Sequence, residues 1–275
     1  MKIIDGKALA AELRAELKIK IEEMPKKPGL AVVIVGEDPA SRIYVRNKIK
    51  ACQELGIRSY AYELPADSTQ AEVEALLDKL AENSEINGVL LQLPLPKHLD
   101  SESAMAHVPV EKDVDGFSAQ NLGLLLQHKE KIVACTPLGV MKMLERYGVE
   151  ISGKRAVVLG RSETVGKPMA MLLLNANATV TVCHSKTQNL KEICREADIL
   201  VSAIGKANYV TSDMVKEGAV VIDVGMNRDE NGKLCGDVDF EGVKEKTSFI
   251  TPVPGGVGPM TITMLMYNTY LSAKE

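Results

Sequence analysis

Residues 29–35, GLAVVIV, carry no polar side chain, and the run is too short for a core helix. It reads as a strand buried on both faces. On either side the spacing of apolar positions changes to the helical period. DGKALAAELRAELKIKIEE at 5–23 predicts an amphipathic helix with Asp5 as its cap, and SRIYVRNKIKACQELG at 41–56 predicts a second one ending near Gly56. IRSYAYEL and NGVLLQLP are further strands, separated by a helix over 69–83. Strands alternating with helices at this spacing predict a mainly parallel α/β layer.

PVEKDVDGFSAQNLG interrupts the rhythm, which resumes near residue 136. RAVVLGRSETVGKPMAMLLLNANATVTVCHSKT then reads as strand, glycine turn, helix and strand. ADILVSAIG and GAVVIDVGM extend this into a second α/β domain. The last segment, PMTITMLMYNTYLSAK, is a helix that needs a surface to cover and is expected to return to the first domain.

One residue breaks the pattern. At about 100° per residue, Tyr44, Val45, Ala51, Cys52 and Leu55 gather on one side of the second helix, and Lys48 falls near their centre. Arg42, Arg46 and Lys50 lie elsewhere, as a solvated face requires. A lysine in an apolar stripe must snorkel, find a partner or enter a cavity.

The 275 residues suit two domains better than one. A net charge of -4 with mixed signs gives no basic surface favouring nucleic acid. Five dispersed cysteines show neither metal-ligand spacing nor a disulfide framework, so a reducing compartment is expected. No secretory signal opens the chain and no apolar run is long enough to span a bilayer, which reads as cytoplasmic. Twelve methionines and no tryptophan point to an aliphatic core.

In VVLGRSETVGKP the strand delivers Gly160 into a turn, and Gly166 and Pro168 introduce a helix whose first amides suit a phosphate. Ser162 stands where the common GxGxxG fingerprint has its second glycine, so either a structural turn or a nucleotide site fits the motif. An acidic residue for an unmodified ribose is expected at the end of the next strand, yet His184, Ser185 and Lys186 stand there. With Arg161, this loop suits the 2'-phosphate of NADP.

Taken in order, SRIYVRNKIKAC, LQLPLP, KDVDGF, CTPLG, GRSETVGKP, CHSKT and PVPGGVGPMT closely resemble the bifunctional methylenetetrahydrofolate dehydrogenase and methenyltetrahydrofolate cyclohydrolase family. The resemblance runs from the first helix to the last. It implies a two-domain α/β protein, with an amino-terminal folate-binding catalytic domain (1–135 with 258–275) and a Rossmann-like NADP-binding domain (136–257) facing each other across a cleft. It implies a homodimer acting on one-carbon derivatives of tetrahydrofolate, with no nucleic-acid or membrane partner and no metal. The implied reactions are NADP-dependent oxidation of 5,10-methylenetetrahydrofolate and hydrolysis of the methenyl product to 10-formyltetrahydrofolate. A dehydrogenase with weak or absent cyclohydrolase activity and a noncatalytic nucleotide-sensing protein are the competing readings.

The family's catalytic lysine matches Lys48 and its folate-stacking tyrosine matches Tyr44, one helical turn apart. Ser41, on the same side, is a candidate partner of the lysine or of folate, or a helix cap. Gln92 matches the glutamine beside the lysine; a neutral amide orients the amine without the pKa rise that a carboxylate brings. Asp115 matches the substrate aspartate, and Asp113 is expected to position its loop. Gly255 and Gly256 are expected to let backbone approach the substrate. Thr136, Gly160, Arg161, Ser162, Gly166, His184 and Ser185 are the expected cofactor contacts. Two departures stand out: GFSAQNLG lacks the histidine-proline pair frequent in relatives, and Glu163-Thr164 replaces a basic or small residue followed by isoleucine.

Overall fold

The computed structural model describes residues 2–274, without the side chains of Pro39 and Ala40. Met1 and Glu275, the outer limits of the expected amino-terminal domain, lie outside the described residues. The chain forms two compact units, 1–11 with 136–261 and 12–135 with 262–275.

In the unit built on 12–135, strands β2 (Gly29–Val35), β3 (Arg58–Leu64) and β4 (Gly88–Leu91) form a parallel sheet in the order β3-β2-β4. The uninterrupted apolar run is the central strand and is buried throughout, whereas β3, with Arg58 and Glu63, is an edge. The crossovers are α2 (Pro39–Leu55) and α3 (Gln70–Glu82). Thr69 and Glu72 close a reciprocal capping box at the start of α3, and Val73, Leu77 and Leu80 join Val33 and Leu91 in the core. Gly56, at φ 75°, ends α2 in the left-handed conformation that glycine adopts without steric cost.

The other unit holds a six-stranded, wholly parallel sheet. Its strands are β1 (Lys2–Ile3), β5 (Arg155–Leu159), β6 (Thr179–Cys183), β7 (Ile199–Ser202), β8 (Val220–Asp223) and, after a short β9–β10 hairpin (Asn227–Arg228 and Leu234–Cys235), β11 (Phe249–Ile250). Their order is β1-β11-β8-β7-β5-β6. After β6 the chain returns to the other side of β5 to form β7, so the order reverses at the β5–β7 pair. In open α/β sheets the crevice at such a reversal, beyond the carboxyl ends of the strands, is where ligands bind.

The units differ from the sequence-derived domains at both ends of the chain. Lys2 and Ile3 pair with Phe249 and Ile250, so the first eleven residues join the six-stranded unit instead of the three-stranded one. Two residues carry too little periodicity to reveal a strand. Residues 258–261 also fall in the six-stranded unit, because the division lies inside the final helix, Val257–Ser272. The first helix, α1 (Gly6–Glu22), starts at the expected cap, where the Asp5 carboxylate accepts from the Ala8 amide at 2.9 Å.

Candidate active site

In α2, Val45, Ala51, Cys52 and Leu55 are buried, while Arg42, Arg46 and Lys50 face outward. Lys48 does not snorkel: its Nζ donates to Gln92 Oε1 at 3.0 Å. Gln92 is placed by its backbone, whose amide extends the β2–β4 ladder by one residue to the Val33 carbonyl at 2.8 Å. Its Nε2 donates to the Leu93 carbonyl at 2.7 Å, which fixes the amide with its oxygen toward the lysine. Tyr44, one turn before Lys48, is 38% exposed, high for a ring on an otherwise buried stripe. Ser41 is not the cap of α2. Asp38 is, accepting the Ser41 amide at 2.7 Å. Beyond Gln92 lies a groove of about 420 Å³ lined by Leu93, Pro94, Leu95, Leu99 and Lys97 among others.

Asp113 and Asp115 divide the work of the loop after β4. Asp113 is fully buried and accepts the amides of Gly116, Phe117 and Ser118 and the Asn121 side chain at 2.8–3.3 Å, fulfilling its expected positioning role. Gly116, at φ 74°, fits only as glycine, since a Cβ would stand 2.6 Å from the Ala134 amide. This tight turn presents Asp115, which is half-buried. Desolvation raises the pKa of its carboxyl, with Asp113 adding to the rise, while the Lys48 charge and a hydrogen bond from the Cys135 thiol oppose it. Lys48, Gln92 and Asp115 are therefore brought together: an amine, a neutral acceptor and a carboxylate with little water around it.

Cys135 and Asn268 were not legible as members of this corner. The Cys135 thiol lies 3.3 Å from the Val114 carbonyl, and burial pushes its pKa well above the ordinary thiol range. Asn268 donates to the Val114 and Val133 carbonyls at 2.8 and 2.9 Å. A lone cysteine and a helical asparagine give no sequence signal for this.

In the other unit the glycine turn is set by backbone packing. A Cβ on Gly160, whose φ is 112°, would stand 2.3 Å from the Ala203 carbonyl oxygen, and one on Gly166 would stand 2.3 Å from that of Gly160. The helix α7 (Gly166–Asn175) begins directly after the turn. Ser162 Oγ accepts the Val165 and Gly166 amides at 3.2 and 3.3 Å, so those two are satisfied internally. Among the described residues no protein acceptor takes the amides of Ser162, Glu163 or Thr164. Three free amides before a helix are a donor set for an anion. They fit the pyrophosphate of a dinucleotide.

Gly160 donates to the Cys183 carbonyl at 2.9 Å, which sets Arg161 beside the loop at 184–187 where β5 and β6 end. That loop is held by His184: its amide donates to Thr187 Oγ1 at 2.9 Å, and its Nδ1 accepts the Lys186 amide at 3.1 Å. Arg161, Ser185 and Lys186 are exposed, and among the described residues no carboxylate pairs with Arg161. Lys167, by contrast, is paired with Glu163 at 2.8 Å. Cationic and hydroxyl groups without an acid suit a ribose phosphate.

Three further expected site residues lie in the six-stranded unit. Thr136 has its hydroxyl 2.9 Å from that of Thr261. Gly255 and Gly256 belong to the six-stranded unit and pack on the start of α1: Gly255 accepts the Lys7 amide at 2.9 Å, and a Cβ on Gly6 would meet the Gly256 carbonyl oxygen at 1.9 Å.

Comparison with known proteins places both parts of the chain in one family. Residues 4–115 match the catalytic domain of tetrahydrofolate dehydrogenase/cyclohydrolase, and residues 134–275 match its NAD(P)-binding domain. The Bifunctional protein FolD of Campylobacter concisus is 56% identical over 277 residues, covering 100% of this chain and 98% of that protein. The crystal structure of the bifunctional FolD enzyme of Campylobacter jejuni superimposes with a TM-score of 0.98 at 50% identity, covering 100% of this chain and 99% of that one. The Trypanosoma brucei enzyme, solved with NADP and an inhibitor, gives 0.94 at 41% identity, with 99% and 97% covered. Matched over 4–115 and 134–275 by the two domain models and over its full length by relatives, the chain belongs to the tetrahydrofolate dehydrogenase/cyclohydrolase family.

Proposed function

We propose that this protein oxidises 5,10-methylenetetrahydrofolate with NADP and hydrolyses the resulting methenyl cation to 10-formyltetrahydrofolate. The observation that carries this reading is the bond between Lys48 and Gln92 in the corner that also holds Asp115. The Asp115 carboxylate accepts hydrogen bonds from the amino-bearing pterin ring, a planar pair of donors that suits a carboxylate's two oxygens. The Tyr44 ring stacks on the folate, and the apolar groove past Gln92 shelters its flat body from water.

For hydrolysis, water adds to the methenyl carbon to give a tetrahedral carbinol, releasing one proton. The amine of Lys48 then takes the carbinol proton and returns it to N5 as the bond between carbon and N5 breaks, which leaves the formyl group on N10. Gln92 holds the amine on line through one N–H and, being neutral, does not bind the proton in competition with the reaction. NADP supplies the redox half by accepting a hydride from the methylene carbon. Gly160, Ser162 and Gly166 shape its pyrophosphate seat, and Arg161, His184 and Ser185 form its ribose-phosphate end. Gly255, Gly256 and Thr136 contribute by fixing backbone shape around the six-stranded unit.

We further propose a homodimer. Strand β6 is a sheet edge whose outer hydrogen-bonding side has no paired strand among the described residues, and it carries the exposed Val182, with exposed Leu174 on the adjoining α7. A second copy is the partner such an edge fits. Five unpaired cysteines, four of them buried, support action in the reducing cytoplasm. No described helix is long and apolar enough to cross a membrane.

The test is incubation with 5,10-methylenetetrahydrofolate and NADP or NAD, resolving reduced cofactor, methenyl compound and 10-formyl product. Both products are expected with NADP. Accumulation of the methenyl compound at its spontaneous hydrolysis rate would leave a dehydrogenase alone, and cofactor binding without turnover would leave a sensor.

A further inference from the structure

One carboxylate outside the reactive corner is built into the nucleotide unit in an unusual way. Asp237 is fully buried and follows the β9–β10 hairpin. Its Oδ2 accepts the Ile204 amide at 2.7 Å, the Gly205 amide at 3.3 Å and the Ser202 hydroxyl at 3.1 Å. Its Oδ1 accepts the Lys206 amide and Asn227 Nδ2, both at 2.9 Å. Three successive amides aimed at one point, with Gly205 at φ 65°, form a concave nest of the kind that binds free anions. Here the anion belongs to the protein.

That nest is the loop leaving β7, on one side of the point where strand order reverses. Its first residue, Ala203, donates to the Leu159 carbonyl at 2.8 Å, and the Ala203 carbonyl packs on Gly160 so closely that a Cβ would approach it to 2.3 Å. The loop and the glycine turn are thus two walls of one crevice in one unit. Gly225 closes the arrangement from behind: a Cβ there would stand 2.3 Å from Asp237 Oδ1. Asp223 ties the same corner together, accepting the amides of Gly225, Asp237 and Val238 at 2.9 Å each.

We propose that Asp237 is a positioning residue for the nucleotide site, an internal anion that fills the nest at 204–206 and holds the Ala203 wall against the Gly160 turn. This rests on the reading of residues 136–261 as the NADP-binding unit. Two consequences follow from the chemistry. With the second nest occupied, the free amides at 162–164 are the ones left for the pyrophosphate. Asp237→Asn turns one acceptor oxygen into a donor NH2, so either the part-buried Ile204 and Gly205 amides or the Lys206 amide lose their acceptor and the nest loses its negative charge, and the wall relaxes while the sheet beneath it keeps its own ladder.

The experiment compares wild type with Asp237→Asn and the milder Asn227→Ala, which removes one donor. Hydrogen exchange of the 204–206 amides is measured without ligand, NADP binding by calorimetry, and hydrolysis of added methenyltetrahydrofolate, which consumes no nucleotide. Asp237→Asn is expected to expose the 204–206 amides and weaken NADP binding about tenfold, with Asn227→Ala in between, while β5 and β7 amides stay protected. Hydrolysis is expected to change by less than about twofold, since the lost hydrogen bonds lie within the nest of the other unit and act locally. Equal NADP affinity in wild type and Asp237→Asn would overturn the proposal. So would parallel loss of β5 protection and of hydrolysis in both variants, which marks general unfolding. A wild type that binds no NADP would instead overturn the assignment of the unit, independently of how the variants behave.

Discussion

The two polar centres of this protein are made of different material. Around Lys48 the working groups are side-chain atoms held by other side chains and by the tight loop of Asp113. Around Gly160 they are backbone amides, and the side chains that matter most are the ones absent. In the proposed function the first centre moves protons, which needs groups that titrate, and the second receives an anion, which needs fixed donors and close approach. Each therefore fails in its own way: the first when a functional group changes, the second when an atom is added.

Lys48→Met should have the largest effect, lowering methenyl hydrolysis on the order of 10²- to 10⁴-fold, the range of general acid–base catalysis, while NADP affinity stays near wild type. Hydrolysis followed by loss of methenyl absorbance, beside a cofactor titration, separates the two. Gly160→Ala is the mirror case. The strained φ and the contact with the Ala203 oxygen should weaken NADP binding on the order of 10- to 100-fold and spare hydrolysis. Equal damage to both activities in either variant would erase the distinction between the centres.

The buried carboxylates sharpen the comparison through pH. Asp223, in the nucleotide unit, is pushed by burial from 3.8 up to about 6. Its folded value lies above its unfolded one, so its contribution to stability is fully present below about pH 4 and is lost as pH rises through about 6. Denaturant unfolding of wild type and Asp223→Asn should show the difference moving toward the variant between pH 4 and 7, by at most about 3 kcal/mol.

Asp115 is raised by the same cause, but its readout is substrate binding. Only the carboxylate accepts from the pterin, so KM for folate should climb as pH falls through a value above that of an ordinary aspartate, by about tenfold per pH unit beyond it. A flat KM down to pH 4 would remove Asp115 from pterin recognition. The smallest effect belongs to an exposed side chain: Arg161→Ala should reduce the preference for NADP over NAD by about five- to tenfold, the size of one solvent-exposed charged contact, measured as the ratio of kcat/KM values.

Much of this was legible in the chain. Lys48 announced itself because helical periodicity gives every position an expected polarity, and a cation at the centre of an apolar stripe violates it. GLAVVIV declared a buried strand, and the helix over 69–83 was visible in the spacing of its apolar positions, because both signals are local. The glycine turn was visible as a type of turn, and the missing acid after β6 as an absence at a fixed distance.

Other features depend on contacts between distant parts of the chain. Nothing about Lys2 and Ile3 predicts pairing with Phe249 and Ile250, since two residues carry no period. Ser41 looked like a cap until Asp38 took that place. Asp237 reads as one more acid in a polar hairpin, and only folding brings five donors to it from Ser202, 204–206 and Asn227. Cys135 and Asn268 likewise gain meaning only where they meet Val114. Sequence by itself determined the elements, their alternation and the residue types able to do the chemistry, because these depend on neighbours a few positions away. Tertiary structure decided which carboxylate stays half-buried beside Lys48 and which serves the backbone, because solvation and hydrogen-bond partners are set by groups that are remote in the chain and adjacent in space.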